Sequence, residues 1–368
     1  MSDNTSRRQW IRKTAAAVAA MSIVPSLFAT EREKWRAAGI ILLNSNENAY
    51  GPSETARKAM AEALGNSNRY PDEQLPVLKK EIADFWRLGK DNILMGAGSS
   101  EILGLTSLLV SSTKGHVITA EPSYRVWNNQ AVAFGLSFKR IPLANDKTHD
   151  LGEMMSAIDA DTRMIYVCNP NNPAGTYVED HLLRAFVREC SNKCMVLVDE
   201  AYTEFADLPS LKDIAAVNPN VIVAKTFSKI YGLAGARVGY AIGHPDTIKK
   251  LGSFQAWNDV SVSVVTAAAA SAALKDQAFV KDCREKTRQA REICYDCFKQ
   301  LSLDYIPSHA SFILFNIDKI GADFSQKMLA KDIIVQYRDH FGGKWCRVSM
   351  GTLEEMKMFC SVLKSITG

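Results

Sequence analysis

The chain predicts an α/β fold: a large doubly wound mixed sheet with a second, smaller α+β domain beside it. Between about residues 65 and 255, short apolar runs alternate with helix-period runs, as strands separated by crossover helices do. Beyond residue 256, a long helical stretch leads into an alternation of strand, helix, strand, strand and helix, which reads as the smaller unit. No repeat, low-complexity tract or Pro/Ser-rich linker separates the two parts, so they are expected to pack closely. The chain thus divides into a targeting segment (1–30), an arm joining the small domain (31–64), a large domain (65–255), and an interdomain helix with the small domain (256–368).

At the N-terminus, Ser6-Arg7-Arg8-Gln9-Trp10-Ile11-Arg12-Lys13 has the twin arginine, bulky apolar pair and basic close of a twin-arginine export signal. Ala15 to Phe28 is apolar on all sides and too short to span a bilayer, although a surface helix remains an alternative. The expected location is therefore exported and periplasmic, with the twin-arginine translocase as a partner during export. Leu27-Phe28-Ala29 is a poor cleavage site, which leaves a membrane tether open.

In order, Asn92–Met95, Val117–Ala120, Phe138–Pro142, Met164–Cys168, Met195–Val198, Val221–Phe227 and Val238–Ile242 read as strands. Ser100–Leu109, His181–Cys190 and Leu211–Val217 read as helices between them. A helical stretch from Val260 to Leu301 is broken near Lys275–Asp276. The last part reads as strand Ser311–Asn316, helix Ala322–Lys331, strands Ile333–Tyr337 and Cys346–Met350, and helix Leu353–Ile366.

Composition narrows the function classes. The 368 residues are 47% hydrophobic and 23% charged, enough to bury one large core and a smaller one. Of the net charge of +4, three units come from residues 1–29, where Arg7, Arg8, Arg12 and Lys13 face only Asp3. The nearly neutral body gives no electrostatic reason for a nucleic-acid partner. Eight cysteines in a chain of this length are no disulfide framework, and Cys294 and Cys297 fall within a helix as packing neighbours. None of the six histidines sits with them at zinc-ligand spacing, so no metal is expected.

The chemistry lies at the strand tips. The apolar run Met195–Val198 ends in Asp199, and the run Val221–Ala224 leads to Lys229, about thirty residues later. Parallel strands that end on ionisable residues form the rim where α/β proteins bind ligands. A lysine amine and a carboxylate there suit pyridoxal 5′-phosphate, which needs a Schiff-base partner and an anion beside its ring nitrogen. Taken alone, the pair also fits a structural ion pair. The turn Gly96-Ala97-Gly98-Ser99-Ser100-Glu101 can close backbone amides on an anion at a helix N-terminus, or simply cap the helix. Asn169-Pro170-Asn171-Asn172-Pro173-Ala174-Gly175 places an amide at the end of a strand, although a plain Asn/Pro turn is an alternative. Thr226, Ser228 and Arg237 could complete a phosphate cup with two hydroxyls and a fixed cation.

Three of these runs together, Asn172-Pro173-Ala174-Gly175, Asp199-Glu200-Ala201-Tyr202 and Ser228 through Arg237, make the chain resemble class I/II pyridoxal-phosphate aminotransferases of fold type I. Leu43 through Pro52, Asn68-Arg69-Tyr70-Pro71 and Cys346 through Thr352 bring it nearest the histidinol-phosphate aminotransferase branch, over about residues 40–365. The resemblance implies that Lys229 carries the cofactor and shuttles the α-proton, while Asp199 pairs with the pyridinium. It implies that Asn172 and Tyr202 meet the phenolic oxygen and that Tyr124 stacks on the ring. Gly98, Ser99, Ser100, Thr226, Ser228 and Arg237 would bind the phosphate, with Tyr70 reaching it from the second subunit of a homodimer. Arg347 would clamp the substrate α-carboxylate, and Asn48 and Tyr50 would also contact substrate.

One departure bears on substrate choice. Where the branch carries an arginine for the substrate phosphate, this chain has Gln336, with Arg338 two residues on and on the same strand face. Either residue could read the side chain, and an amide there predicts that neutral or aromatic amino acids compete with histidinol phosphate as donors. The implied activity is amino transfer between an amino acid or amine donor and a 2-oxo acid. Another pyridoxal-phosphate chemistry on the same scaffold, such as decarboxylation or cyclisation, and a non-catalytic cofactor-binding module are the alternatives.

Overall fold

The computed structural model describes residues 39–257 and 261–367. Residues 1–30, read from the sequence as an export signal, lie outside them. A short strand β1 (Ile41–Leu42) comes first. Seven strands then build the main sheet: β2 (Ile93–Gly96), β3 (Gly115–Glu121), β4 (Leu136–Pro142), β5 (Thr162–Cys168), β6 (Met195–Asp199), β7 (Val221–Thr226) and β8 (Gly239–Gly243). Their order across the sheet is β2-β8-β7-β6-β5-β3-β4. Strands β4, β3, β5, β6 and β7 run parallel, and β8 lies antiparallel between β7 and β2, so the sheet is mixed as expected.

Alternation along the strands supplies both faces. Ile165 and Val167 of β5, with Val196 and Val198 of β6, join one apolar layer with helices Gln74–Trp86, Asp180–Cys190 and Val264–Lys275. Met164, Tyr166 and Cys168, with Leu197, join the opposite layer under helix Ser99–Val110. Strands buried on both faces explain the near-continuous apolar runs in the sequence.

The remaining strands are β9 (Tyr305–Ile306), β10 (Phe312–Asn316), β11 (Ile333–Ile334), β12 (Gln336–His340) and β13 (Gly343–Ser349). Four of them form an antiparallel sheet in the order β12-β13-β10-β9, packed in its own apolar cluster with helices Gln277–Gln300 and Leu353–Thr367. The long helical stretch breaks at Asp276, whose carboxylate caps the second helix at Phe279 N–H. The expected single strand Ile333–Tyr337 is instead two. Ile333–Ile334 pairs in parallel with β1, and from Gln336 the chain pairs with β13. The arm is tied further by Ser349, whose Oγ accepts from Asn46 N–H and donates to Asn46 Oδ1.

Candidate active site

The C-terminal ends of β5, β6 and β7 open into a cleft of about 900 Å³, closed on the far side by the arm and the β12–β13 ribbon. Asp199 lies at its floor, 3% exposed. Its Oδ2 accepts from Tyr166 Oη at 2.9 Å and its Oδ1 from Ala201 N–H at 3.1 Å. Burial pushes the carboxyl up to about 6, against the Tyr166 hydrogen bond, the Ala201 amide, Lys229 and Lys225.

Lys229 enters the same cleft from the loop after β7. Its Nζ donates to the Asn46 carbonyl at 3.3 Å and lies 5.6 Å from the centre of the Tyr202 ring. Burial first, and then the nearby Arg347 cation, bring its amine down to about 8, despite Glu47 and Asp199. Tyr202 Oη accepts from Asn46 Nδ2 at 3.2 Å and Asn172 Nδ2 at 3.4 Å, and burial raises its pKa.

At one end, Gly98 caps helix Ser99–Val110 with φ +84, and Ser99 and Ser100 at the helix start line the cleft. Thr226, Ser228 and Arg237 complete this end. Arg237 Nη1 donates to Ser228 Oγ at 3.4 Å, and Nη2 donates to the Ala97 carbonyl at 3.0 Å. A Cβ on Gly98 would stand 2.4 Å from Arg237 Nη2, so the cup closes only around glycine. Hydroxyls, a helix N-terminus and a fixed guanidinium in one cradle suit a phosphate. Tyr124 lines the cleft nearby, its phenol pushed up to about 12 by burial.

At the other end, Arg347 on β13 donates from Nη1 to Asn172 Oδ1 at 2.7 Å, and its buried Nε has no hydrogen-bond partner among the described residues. Gln336 and Arg338 also line the cleft, opposite Arg347 and Trp345 in the β12–β13 register. The Gln336 amide is already engaged, Nε2 donating to the Asn44 carbonyl at 2.6 Å. Arg338 forms no side-chain hydrogen bond or ion pair among the described residues.

Three expected residues are not brought to this cleft. Asn48 is spent on the arm, its Nδ2 donating to the Ile230 carbonyl at 2.7 Å and its Oδ1 accepting from Tyr50 N–H. The Tyr50 ring lies under Lys286 Nζ, 4.8 Å from it. Within a single chain, then, neither Asn48 nor Tyr50 lines the cleft. Tyr70 lies outside the cleft, 67% exposed, its ring 5.0 Å from that of Trp257. Conversely, the sequence reading missed Asn46, Tyr166, Arg125 and His340. Asn46 stands inside the Leu43–Pro52 motif, Arg125 follows Tyr124, and His340 continues the two-residue period from Gln336 and Arg338. Only Tyr166 had no signal in the sequence.

Residues 38–363 match the family Aminotransferase class I and II. A histidinol-phosphate aminotransferase of Brevibacillus brevis is 35% identical, covering 89% of this chain and 90% of that one. One of Moorella thermoacetica is also 35% identical, over 89% and 85% of the two chains. The crystal structure of histidinol-phosphate aminotransferase from Sinorhizobium meliloti in complex with pyridoxal-5′-phosphate superposes with a TM-score of 0.84 at 27% identity, covering 92% of this chain and 95% of that one. These relatives correct the expected exported, periplasmic location. They are histidinol-phosphate aminotransferases, and the segment read as an export signal lies outside the described residues.

Proposed function

The chain belongs to the aminotransferase class I and II family and is a pyridoxal-phosphate-dependent aminotransferase, and within that activity we propose a role for each residue of the cleft. The observation that carries the reading is the convergence of Asp199, Lys229 and Arg347 on one cleft with a phosphate cup at its end. The residues fit the cofactor, since a Cβ at Gly98 would fill the cup and the floor offers a buried carboxylate beside a lysine of lowered pKa. When bound, the cofactor supplies an electron sink for the pair left at the substrate Cα.

The protein's own residues do the rest. Ser99, Ser100, Thr226, Ser228 and Arg237 hold the phosphate, Asp199 holds the ring nitrogen, and Asn172 and Tyr202 face the phenolic oxygen. Tyr124 covers the ring. Lys229 Nζ carries the cofactor and moves the Cα proton, a task suited to an amine near 8. Arg347 fixes the α-carboxylate, and its buried Nε, without a partner among the described residues, supports an acceptor there.

For the substrate side chain, Arg338 is the reader we favour over Gln336. The glutamine amide is taken by the Asn44 carbonyl, whereas Arg338 has no hydrogen-bond or ion-pair partner among the described residues and lines the same cleft as Arg125. A donor or acceptor ending in an anionic group, phosphate or carboxylate, suits this end. Residues 65–255 would form the cofactor domain and 256–368 the smaller domain that brings Arg347 and Arg338. The exposed pair Tyr70 and Trp257 supports a homodimer in which Tyr70 reaches the partner's phosphate cup.

Borohydride reduction of the loaded enzyme tests the reading. The cofactor should be fixed on the peptide containing Lys229, and Lys229→Ala should lose turnover with every donor. Recovery on another lysine, or undiminished turnover, overturns it.

A further inference from the structure

Tyr166 stands on β5, one strand from Asp199 at the end of β6, and the parallel register sets Tyr166 against Leu197 and Cys168 against Asp199. Side-chain alternation turns Tyr166, Cys168 and Asp199 to the same face, under helix Ser99–Val110. Tyr166 is fully buried there, and a phenolic hydroxyl in an apolar layer is costly without a partner. Its hydrogen-bond partner is the Asp199 carboxylate, at 2.9 Å. The ring cannot turn away, because Trp127 packs against it with centroids 4.9 Å apart. Trp127 in turn follows Tyr124, so Tyr166 braces both the floor of the cleft and the segment that carries Tyr124.

We propose that Tyr166 is a positioning residue for the cofactor: its hydroxyl keeps Asp199 anionic and fixes the orientation of its carboxylate. The proposal rests on the reading of Asp199 as the holder of the ring nitrogen. Asp199 has two hydrogen-bond donors, Tyr166 and the Ala201 amide, set against a burial that favours the protonated acid. The titratable groups facing it are Tyr166 and Cys168 from β5, Tyr124 from the loop after β3, Tyr202 after β6, Lys225 on β7 and Lys229 after it. Burial raises the pKa of Tyr124, Tyr166, Tyr202 and Cys168, so they remain neutral near pH 7. The two lysines favour the anion. Of these four neutral side chains, Tyr166 is the one that donates a hydrogen bond to the carboxylate.

The sign follows from linkage. Without the Tyr166 hydroxyl, the unliganded carboxyl keeps its proton to higher pH, and that proton competes with a protonated ring nitrogen. Cofactor affinity of the apoenzyme is measured by absorbance titration between about pH 6 and pH 8 for the wild type, Tyr166→Phe, Asp199→Asn and the double variant. Phenylalanine keeps the packing on Trp127 and removes only the hydroxyl. Tyr166→Phe is expected to bind pyridoxal phosphate roughly tenfold more weakly at the acid end, with the deficit shrinking towards the alkaline end. In the Asp199→Asn background the same change should cost less than about twofold. A deficit equal at every pH, one that persists undiminished in the Asp199→Asn background, or no deficit at all overturns the proposal. If Asp199→Asn itself binds the cofactor like the wild type, the underlying reading of Asp199 falls, which is a separate result.

Discussion

Arg347 Nη1 and Asn172 Oδ1 meet across 2.7 Å, a direct bond between the β12–β13 ribbon and the turn after β5. The same asparagine reaches Tyr202 Oη through Nδ2, so the smaller sheet and the cofactor floor are joined by one amide. The bond also aims the guanidinium, leaving its buried Nε without a partner among the described residues. Arg347→Lys keeps the charge but loses the planar fork. It should lower kcat/KM for amino donors roughly tenfold to a hundredfold, mostly through KM, while leaving cofactor affinity unchanged. Steady-state kinetics alongside a cofactor titration check this. A variant that loses the cofactor instead would show that Arg347 serves the floor and not the substrate.

Lys229 should impose a pH dependence on cofactor loading. Its folded pKa of about 8 lies below the ordinary lysine value, chiefly through burial and then through Arg347. The neutral amine is the nucleophile, so the rate of attachment to apoenzyme should rise with pH and level off above about 8. Arg347→Ala removes the second cause, so the midpoint should move upward in that variant. Rapid mixing of apoenzyme with pyridoxal phosphate, followed by absorbance, measures both curves.

All seven strands of the main sheet could be placed from the sequence, because strands buried on both faces leave unbroken apolar runs such as Met195–Val198. The split at Val335 was hidden, since Ile333–Ile334 and Gln336–His340 form one continuous strand-like run and only tertiary pairing sends them to different sheets. Lys229, Asp199 and Arg237 stood in runs of strong local character, and the structure brings them into one cleft. Tyr166 was not legible. Within an apolar strand it reads as core, and its partner becomes visible only once the β5–β6 register is known. Asn48 stands in an equally visible motif, yet only the tertiary structure shows that its amide holds the arm to Ile230.

Gly98 allows a test of the phosphate cup. At φ +84 an alanine would be strained, and its Cβ would stand 2.4 Å from Arg237 Nη2. Arg237 would have to leave Ala97 and Ser228. Gly98→Ala should therefore weaken pyridoxal phosphate binding by roughly tenfold or more while changing the binding of pyridoxal, which lacks the phosphate, much less. Equal losses for both ligands would mean that the substitution damages the site generally.

Lys225 is buried four residues before Lys229, with Glu204 Oε1 at 2.6 Å and Glu200 Oε2 at 3.5 Å. Its Nζ also donates to Thr203 Oγ1 at 2.7 Å. Removing the cation leaves a fully buried glutamate unpaired, beside the loop that carries Tyr202. Lys225→Met should cost on the order of 3–5 kcal/mol in urea unfolding. The loss should shrink when Glu200→Gln is added, because an amide needs no counter-charge. An unchanged loss in the double variant would assign the cost to packing on Trp86, which lies 5.2 Å from Lys225 Nζ.

The substrate end of the cleft yields the last prediction. Arg125, Arg338 and Arg347 act on one imidazole, and burial followed by these three cations brings His340 down to about 4. His340 is therefore neutral near pH 7, and the positive potential there belongs to the guanidiniums. Arg347 is engaged with Asn172, and Arg125 shares its charge with Glu121. Arg338 is left as the cation with no internal partner among the described residues. Arg338→Ala should lower kcat/KM for a donor with an anionic end roughly tenfold to a hundredfold and leave a neutral donor such as phenylalanine within about twofold. Arg125→Ala should cost less, since Glu121 already screens that side chain at the cleft rim. Comparing histidinol phosphate with glutamate in both variants separates a phosphate from a carboxylate preference. If Arg338→Ala changes neither, while Gln336→Ala lowers the phosphorylated donor alone, the reader is Gln336 and the donor class is set by its amide.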